Sequence, residues 1–101
     1  MPVVIATLRT KPGRRDDVLA AFEEHTPAIH AEPGCELYAV HAGPDRVTVV
    51  EKWADQASLD AHGVGAPLVA LGRVLADALA EPGDVAVLDA FPAGDPAKGL
   101  L

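Results

Sequence analysis

The chain has 101 residues, half of them hydrophobic, with 15 acidic and 8 basic side chains and a formal net charge of -7. That length makes one domain with one core, burying roughly 60–70% of its unfolded surface. The acidic balance lacks the basic patches that nucleic acid and anionic membranes select, so neither is an expected partner. Val3 to Thr10 is rich in β-branched and apolar residues and reads as a strand, ended by Lys11-Pro12-Gly13. Arg14 to Ala31 reads as a helix, with Val18, Phe22, His25 and Ile29 on one stripe and Leu19 beside it. Pro27 falls inside this pattern and should kink or restart the helix, because proline lacks the N–H that its turn needs.

Glu32-Pro33-Gly34 stops the helix, and Cys35 to His41 reads as a second strand. Gly43-Pro44-Asp45 turns the chain into a third, antiparallel strand, Arg46 to Trp53. Asp55 suits the N-cap of a short helix whose last residue is His62, broken by Gly63 and Gly65. Pro67 suits the first turn of another helix, from about Ala66 to Ala80, with Leu68, Leu71, Leu75 and Leu79 as its apolar stripe. After Glu81-Pro82-Gly83, Asp84 to Phe91 is a fourth strand, and residues 92–101 form a tail outside the 1–91 domain.

This order predicts an α+β, ferredoxin-like βαββαβ fold with a four-stranded antiparallel sheet and helices on one face. A sheet wetted on one side should alternate apolar with polar. Here it does not: Val3 and Ile5 oppose Val4, Ala6 and Leu8, and Val85 and Val87 oppose Ala86, Leu88 and Ala90. Two helices cover one face, so a second copy of the sheet is expected on the other, giving a homodimeric α+β barrel.

Cys35 is the single cysteine, so no intrachain disulfide or thiolate cluster forms. No basic run opens Met1-Pro2-Val3 and no apolar run reaches the ~20 residues of a membrane span. A cytoplasmic setting is the expectation.

Several landmarks recur together at fixed spacing: Lys11-Pro12-Gly13, Glu32-Pro33-Gly34-Cys35, Glu51-Lys52-Trp53-Ala54-Asp55, Asp60-Ala61-His62 and Ala66-Pro67-Leu68. In them the chain resembles the antibiotic biosynthesis monooxygenase (ABM) family, from Val3 to about Phe91. The resemblance implies a dimeric ferredoxin-like barrel with a pocket between helices and sheet in each subunit. It implies cofactor-independent oxidation of phenolic or quinol aromatics, or haem degradation. The haem-degrading branch carries an asparagine in the first strand; the aligned position is at or near Ala6, and the chain contains no asparagine. Haem degradation is therefore disfavoured, while haem binding stays open.

The candidate catalytic pair is Trp53 and His62. Indole suits stacking on a flat aromatic, or plugging the core at a strand end. Imidazole suits accepting a phenolic proton, or stabilising a helix C-terminus. His25, on the apolar stripe, lines the pocket or sits at the core edge. Glu51 shares strand parity with Val49 and Trp53, and pairs with an arginine such as Arg9 or Arg73 or faces the ligand. Leu59 and Tyr38 complete the expected substrate-binding set. The four histidines show no metal spacing, and Gly63-Val64-Gly65 is no nucleotide fingerprint, so no metal or cofactor is expected. The same residues serve three functions: a monooxygenase, a non-catalytic binder of a small metabolite, or an isomerase on the same fold.

Overall fold

The computed structural model describes all 101 residues. Strands β1 (Pro2–Arg9), β2 (Cys35–Ala42), β3 (Arg46–Trp53) and β4 (Asp84–Asp89) form one antiparallel sheet in the order β2-β3-β1-β4. Helices α1 (Arg15–His30), α2 (Gln56–Gly63) and α3 (Ala66–Leu75) supply the crossovers, and a one-turn helix α4 (Pro96–Gly99) lies in the tail. The fold is α+β and ferredoxin-like, as the element order predicts.

Strand periodicity decides which side chains reach the core. In β3, Val47, Val49, Glu51 and Trp53 are all buried while the residues between them are half-exposed. The register sets Val4 beside Glu51 and Ala6 beside Val49, with Val87 and Val85 across on β4. A bulge between Cys35 and Leu37 turns Cys35 and Tyr38 to that same core side. Val18, Ala21, Phe22 and Ile29 of α1 close over β2 and β3. The opposite sheet face holds Ile5, Leu37, Ala39, Val50 and Leu88, and none of α1 to α3 covers it. Only the end of the chain reaches that face, where Lys52 Nζ donates to the Leu101 carbonyl at 2.9 Å.

At Pro27 and at the end of the last long helix the structure settles what the pattern left open. α1 runs through Pro27 to His30 without restarting. Pro27 is exposed, so the carbonyl it leaves unpaired one turn earlier faces water. The helix expected to reach Ala80 ends at Leu75. Beyond it the backbone pairs with the end of β1: Lys11 N–H donates to the Ala78 carbonyl, and Ala80 N–H to the Arg9 carbonyl, both at 2.9 Å. Those bonds hold Leu79 opposite Thr10 and override its helical spacing.

Helix α3 rests mainly on α1 and only lightly on α2. A cavity lies between its Leu68, Leu71 and Leu75 and the sheet near β1 and β4.

Candidate functional site

The cavity has a volume of about 230 Å³. Its floor is Val4, Ala6, Leu8 and Val49 of the sheet, and its roof is Leu68, Leu71 and Leu75 of α3. Phe22 and Leu59 close two sides, and Val85 and Val87 of β4 stand at the open edge. Three of its lining residues carry polar groups: Tyr38, Glu51 and His62. A mostly apolar pocket with a few convergent polar groups is the usual form of a small-molecule site.

Local structure puts those groups together. Asp55 caps α2 by accepting from Ser58 N–H at 2.8 Å, as its place in the sequence predicts. The cap fixes the phase of α2, so His62 near its end turns inward and is 5% exposed. Gly34, with φ +81°, bends the chain against α2, and a Cβ there would overlap the Ser58 side chain. That turn delivers Glu32. Its Oε1 lies 2.8 Å from His62 Nδ1. A Cβ on Gly65 would lie 3.0 Å from Glu32 Oε2, so the absent side chain makes room for the carboxylate.

A carboxylate only accepts, so the Glu32 contact places a proton on Nδ1 and turns Nε2 toward Glu51 and the cavity. His62 Nε2 lies 3.8 Å from Glu51 Oε1. That same Oε1 accepts from Trp53 Nε1 at 3.0 Å. The other Glu51 oxygen bonds to nothing in the chain, yet Thr26 Oγ1 is the one enclosed side-chain polar atom without a partner. Glu51 Oε2 is therefore open to the cavity.

Burial raises the Glu51 carboxyl above its ordinary range, and the nearby Glu32 charge adds to the rise. The Trp53 N–H and His62 pull it back down. The folded state thus holds this proton more tightly than the unfolded chain. Its stabilising contribution is complete below the unfolded value and is lost as pH climbs through the folded one. Glu51→Gln keeps an acceptor for Trp53 and removes the charge. Thermal melts across pH should show the variant gaining a few degrees over wild type at neutral pH, with the gap closing in acid. A gap that widens in acid contradicts this.

The Tyr38 ring meets His62 edge-on at 5.8 Å. Burial, then the charges of Glu51, Cys35 and Glu32, pushes its phenol well up, so it stays protonated and serves as a hydrogen-bonding group. Cys35 is also raised, by burial and then by Glu32 and Glu51, which keeps its thiol protonated and poorly nucleophilic. No group of three or more His, Cys, Asp or Glu is placed to hold a metal ion.

Of the residues expected from sequence, Tyr38, Glu51, Leu59 and His62 line the cavity. Trp53 does not. Its indole is completely buried behind His62, the two rings tilted by 30° with centroids 4.5 Å apart. It therefore has no face free for a ligand. His25 is half-exposed on α1 and is also absent from the wall. No arginine pairs with Glu51; Arg9 bonds to Glu81 at 3.1 Å instead, and Arg73 is exposed. Sequence reasoning passed over Glu32 as a mere helix stop. The signal for it was an ionisable residue in the turn that faces the start of α2.

A family model described as antibiotic biosynthesis monooxygenase matches residues 1–65, a span holding Glu32, Tyr38, Glu51, Trp53 and His62. The chain belongs to the antibiotic biosynthesis monooxygenase family. Among curated relatives of this ABM chain is "Probable quinol monooxygenase YgiN" of Escherichia coli. It is 37% identical over 75 residues, covering 61% of this chain and 72% of the relative. A solved structure described as an antibiotic biosynthesis monooxygenase superposes with a TM-score of 0.83 at 29% identity, over 91% of this chain and all of that one. Rv0793 from Mycobacterium tuberculosis shares the fold, with a TM-score of 0.81 at 23% identity over 95% and 99% of the two chains. The ABM match ends just beyond α2, so α3 and β4, which frame the cavity mouth, lie outside it.

Proposed function

We propose that this ABM-family chain oxygenates a small phenolic or quinol aromatic, with His62 as the base that takes the phenolic proton. The observation that carries this is a polar corner in an apolar cavity, where a buried imidazole is held through Nδ1 by Glu32 and keeps Nε2 free. An apolar cavity of ~150 Å³ already holds benzene, so about 230 Å³ accepts one substituted ring or a small fused system.

The chemistry follows from the substrate's own electrons. Nε2 takes the hydroxyl proton, and the phenolate gives one electron to O2, forming a semiquinone and superoxide. Their recombination makes a C–O bond at a ring carbon. That carbon's proton passes to the distal oxygen as the O–O bond breaks: one oxygen stays as a carbonyl, and the other leaves as hydroxide, which takes the His62 proton to become water. For hydroquinone the balance is hydroquinone plus O2 to hydroxyquinone plus water, with all four electrons drawn from the ring. The chain's part is to exclude water, orient the ring and hold the proton. Glu32 stabilises the imidazolium that forms, and Glu51 and Tyr38 stand within the same corner to bond the second hydroxyl.

A homodimer completes the reading. The outer sheet face, apolar at Ile5, Leu37, Ala39, Val50 and Leu88, is what a second sheet would cover. The test is oxygen uptake by purified protein against a panel of hydroquinones and anthrone-like phenols, with mass measured on the same sample. The expected result is uptake matched by hydroxyquinone formation, in a particle of twice 10.4 kDa. Tight binding with no uptake assigns a non-catalytic binder instead. An absorbance change without oxygen assigns an isomerase.

A further inference from the structure

Helix α3 carries a glycine, Gly72, three residues from its end. Glycine weakens a helix interior relative to alanine, so its presence asks for a reason. Two ordinary reasons are absent. The backbone φ is not positive, and a Cβ built there meets nothing within 4 Å. Gly63, the last residue of α2, has the same two properties. Both glycines line the cavity, and across from them stand Val85 and Val87 of β4, 59% and 55% exposed. The cavity wall thus continues outward as an apolar channel toward solvent, with side chains missing on the helix side. At its inner end is an unpartnered oxygen on Glu51, a residue only 5% exposed, so the channel leads to a polar group awaiting a ligand.

We propose that Gly63 and Gly72 hold this mouth open, and that the substrate is an aromatic ring bearing an apolar extension. The ring sits at the polar corner, and the extension leaves between α3 and β4 along Val85 and Val87. The assignment of the ring as a quinol rests on the function proposed above; the shape of the ligand does not.

Calorimetric titration tests it with two ligand series on the intact protein: hydroquinones with no alkyl chain or a linear one of increasing length, and the matching alkylbenzenes. The variants are Gly72→Leu and Gly63→Leu, with Arg73→Leu placing the same apolar side chain at an exposed position off the wall. Gly72→Ala, which favours the helix, serves where leucine prevents folding. Wild type should bind each series more tightly as the chain lengthens. In Gly72→Leu the bare ring should stay within about twofold of wild type, while the long-chain ligand weakens about tenfold, the scale of one or two blocked methylenes. Arg73→Leu should leave both unchanged. Chain length adding nothing in wild type, or the glycine variants binding long chains as wild type does, overturns the proposal. Alkylbenzenes carry no oxidisable hydroxyl, so the expected pattern in them without oxygen uptake on quinols upholds the mouth and refutes only the reaction.

Discussion

Glu32→Gln is expected to cut kcat by one to two orders of magnitude while changing KM little, and His62→Ala to cut it by about 10²–10⁴. Glu32 does not itself line the cavity, yet it bonds His62 Nδ1 at 2.8 Å and alone supplies the charge on that side. The amide keeps the shape and can still accept the Nδ1 proton, but it no longer offsets the charge of an imidazolium. The loss should therefore fall on the step that puts a proton on Nε2. The split between kcat and KM separates this from mere structural damage: KM should stay near wild type, and Glu32→Asp, which keeps the charge, should recover part of the lost oxygen uptake. An unchanged kcat in Glu32→Gln would show that Glu32 only tethers the turn.

Trp53→Ala should cost about 3–5 kcal/mol, the range for deleting a large buried aromatic. Against a total of ~5–15 kcal/mol for a domain of ordinary stability, that leaves little folded reserve. Packing is only part of the loss. Trp53 Nε1 is the sole donor to Glu51 Oε1, so the variant also strips a buried carboxylate of its hydrogen bond. Trp53→Phe isolates that second part: it keeps a ring beside His62 and should cost about 1–3 kcal/mol. Denaturant unfolding at neutral pH and in acid distinguishes the two. The Phe variant should recover in acid, where Glu51 is protonated in both states. The Ala variant should not recover fully, because its void persists at every pH. Equal losses at both pH values in Trp53→Phe would mean that the indole N–H does not stabilise the Glu51 charge.

What could be read from the sequence was whatever obeys a short period. The alternation Val47, Val49, Glu51, Trp53 put all four on one side of the strand, and the structure makes it the core side. The spacing of Val18, Phe22 and Ile29 found the buried stripe of α1. Period gives a side, however, and not a depth. Trp53 and Glu51 share a face, yet one is sealed behind His62 and the other opens on the cavity. Glu32 was illegible for a different reason. Its partner is 30 residues away, and the contact depends on a left-handed Gly34 and a side-chain-free Gly65 acting together. Leu79 misled because helical spacing continued past the point where backbone bonds to Arg9 and Lys11 took over. Pro27 left the course of α1 open, and its missing N–H falls on the wet side of that helix, where a proline is tolerated.

The cavity matters to function because it opens at the β4 edge, where Val85 and Val87 are exposed beside the sheet's apolar floor. The same floor residues that would otherwise be core, Val4, Ala6 and Val49, line the cavity, and the ring of the proposed substrate would lie on them.

The most direct measurement is a spectroscopic titration of the oxygen-free protein with a nitrophenol acidic enough for imidazole to deprotonate, at a pH below the ligand's own ionisation, following ligand absorbance and the imidazole nitrogen NMR shifts together. Transfer of the proton predicts that bound phenol absorbs as phenolate while Nε2 of His62 gains a proton and Nδ1 keeps its own. Phenol bound in its neutral form, with both His62 nitrogens unchanged, would contradict His62 as the base.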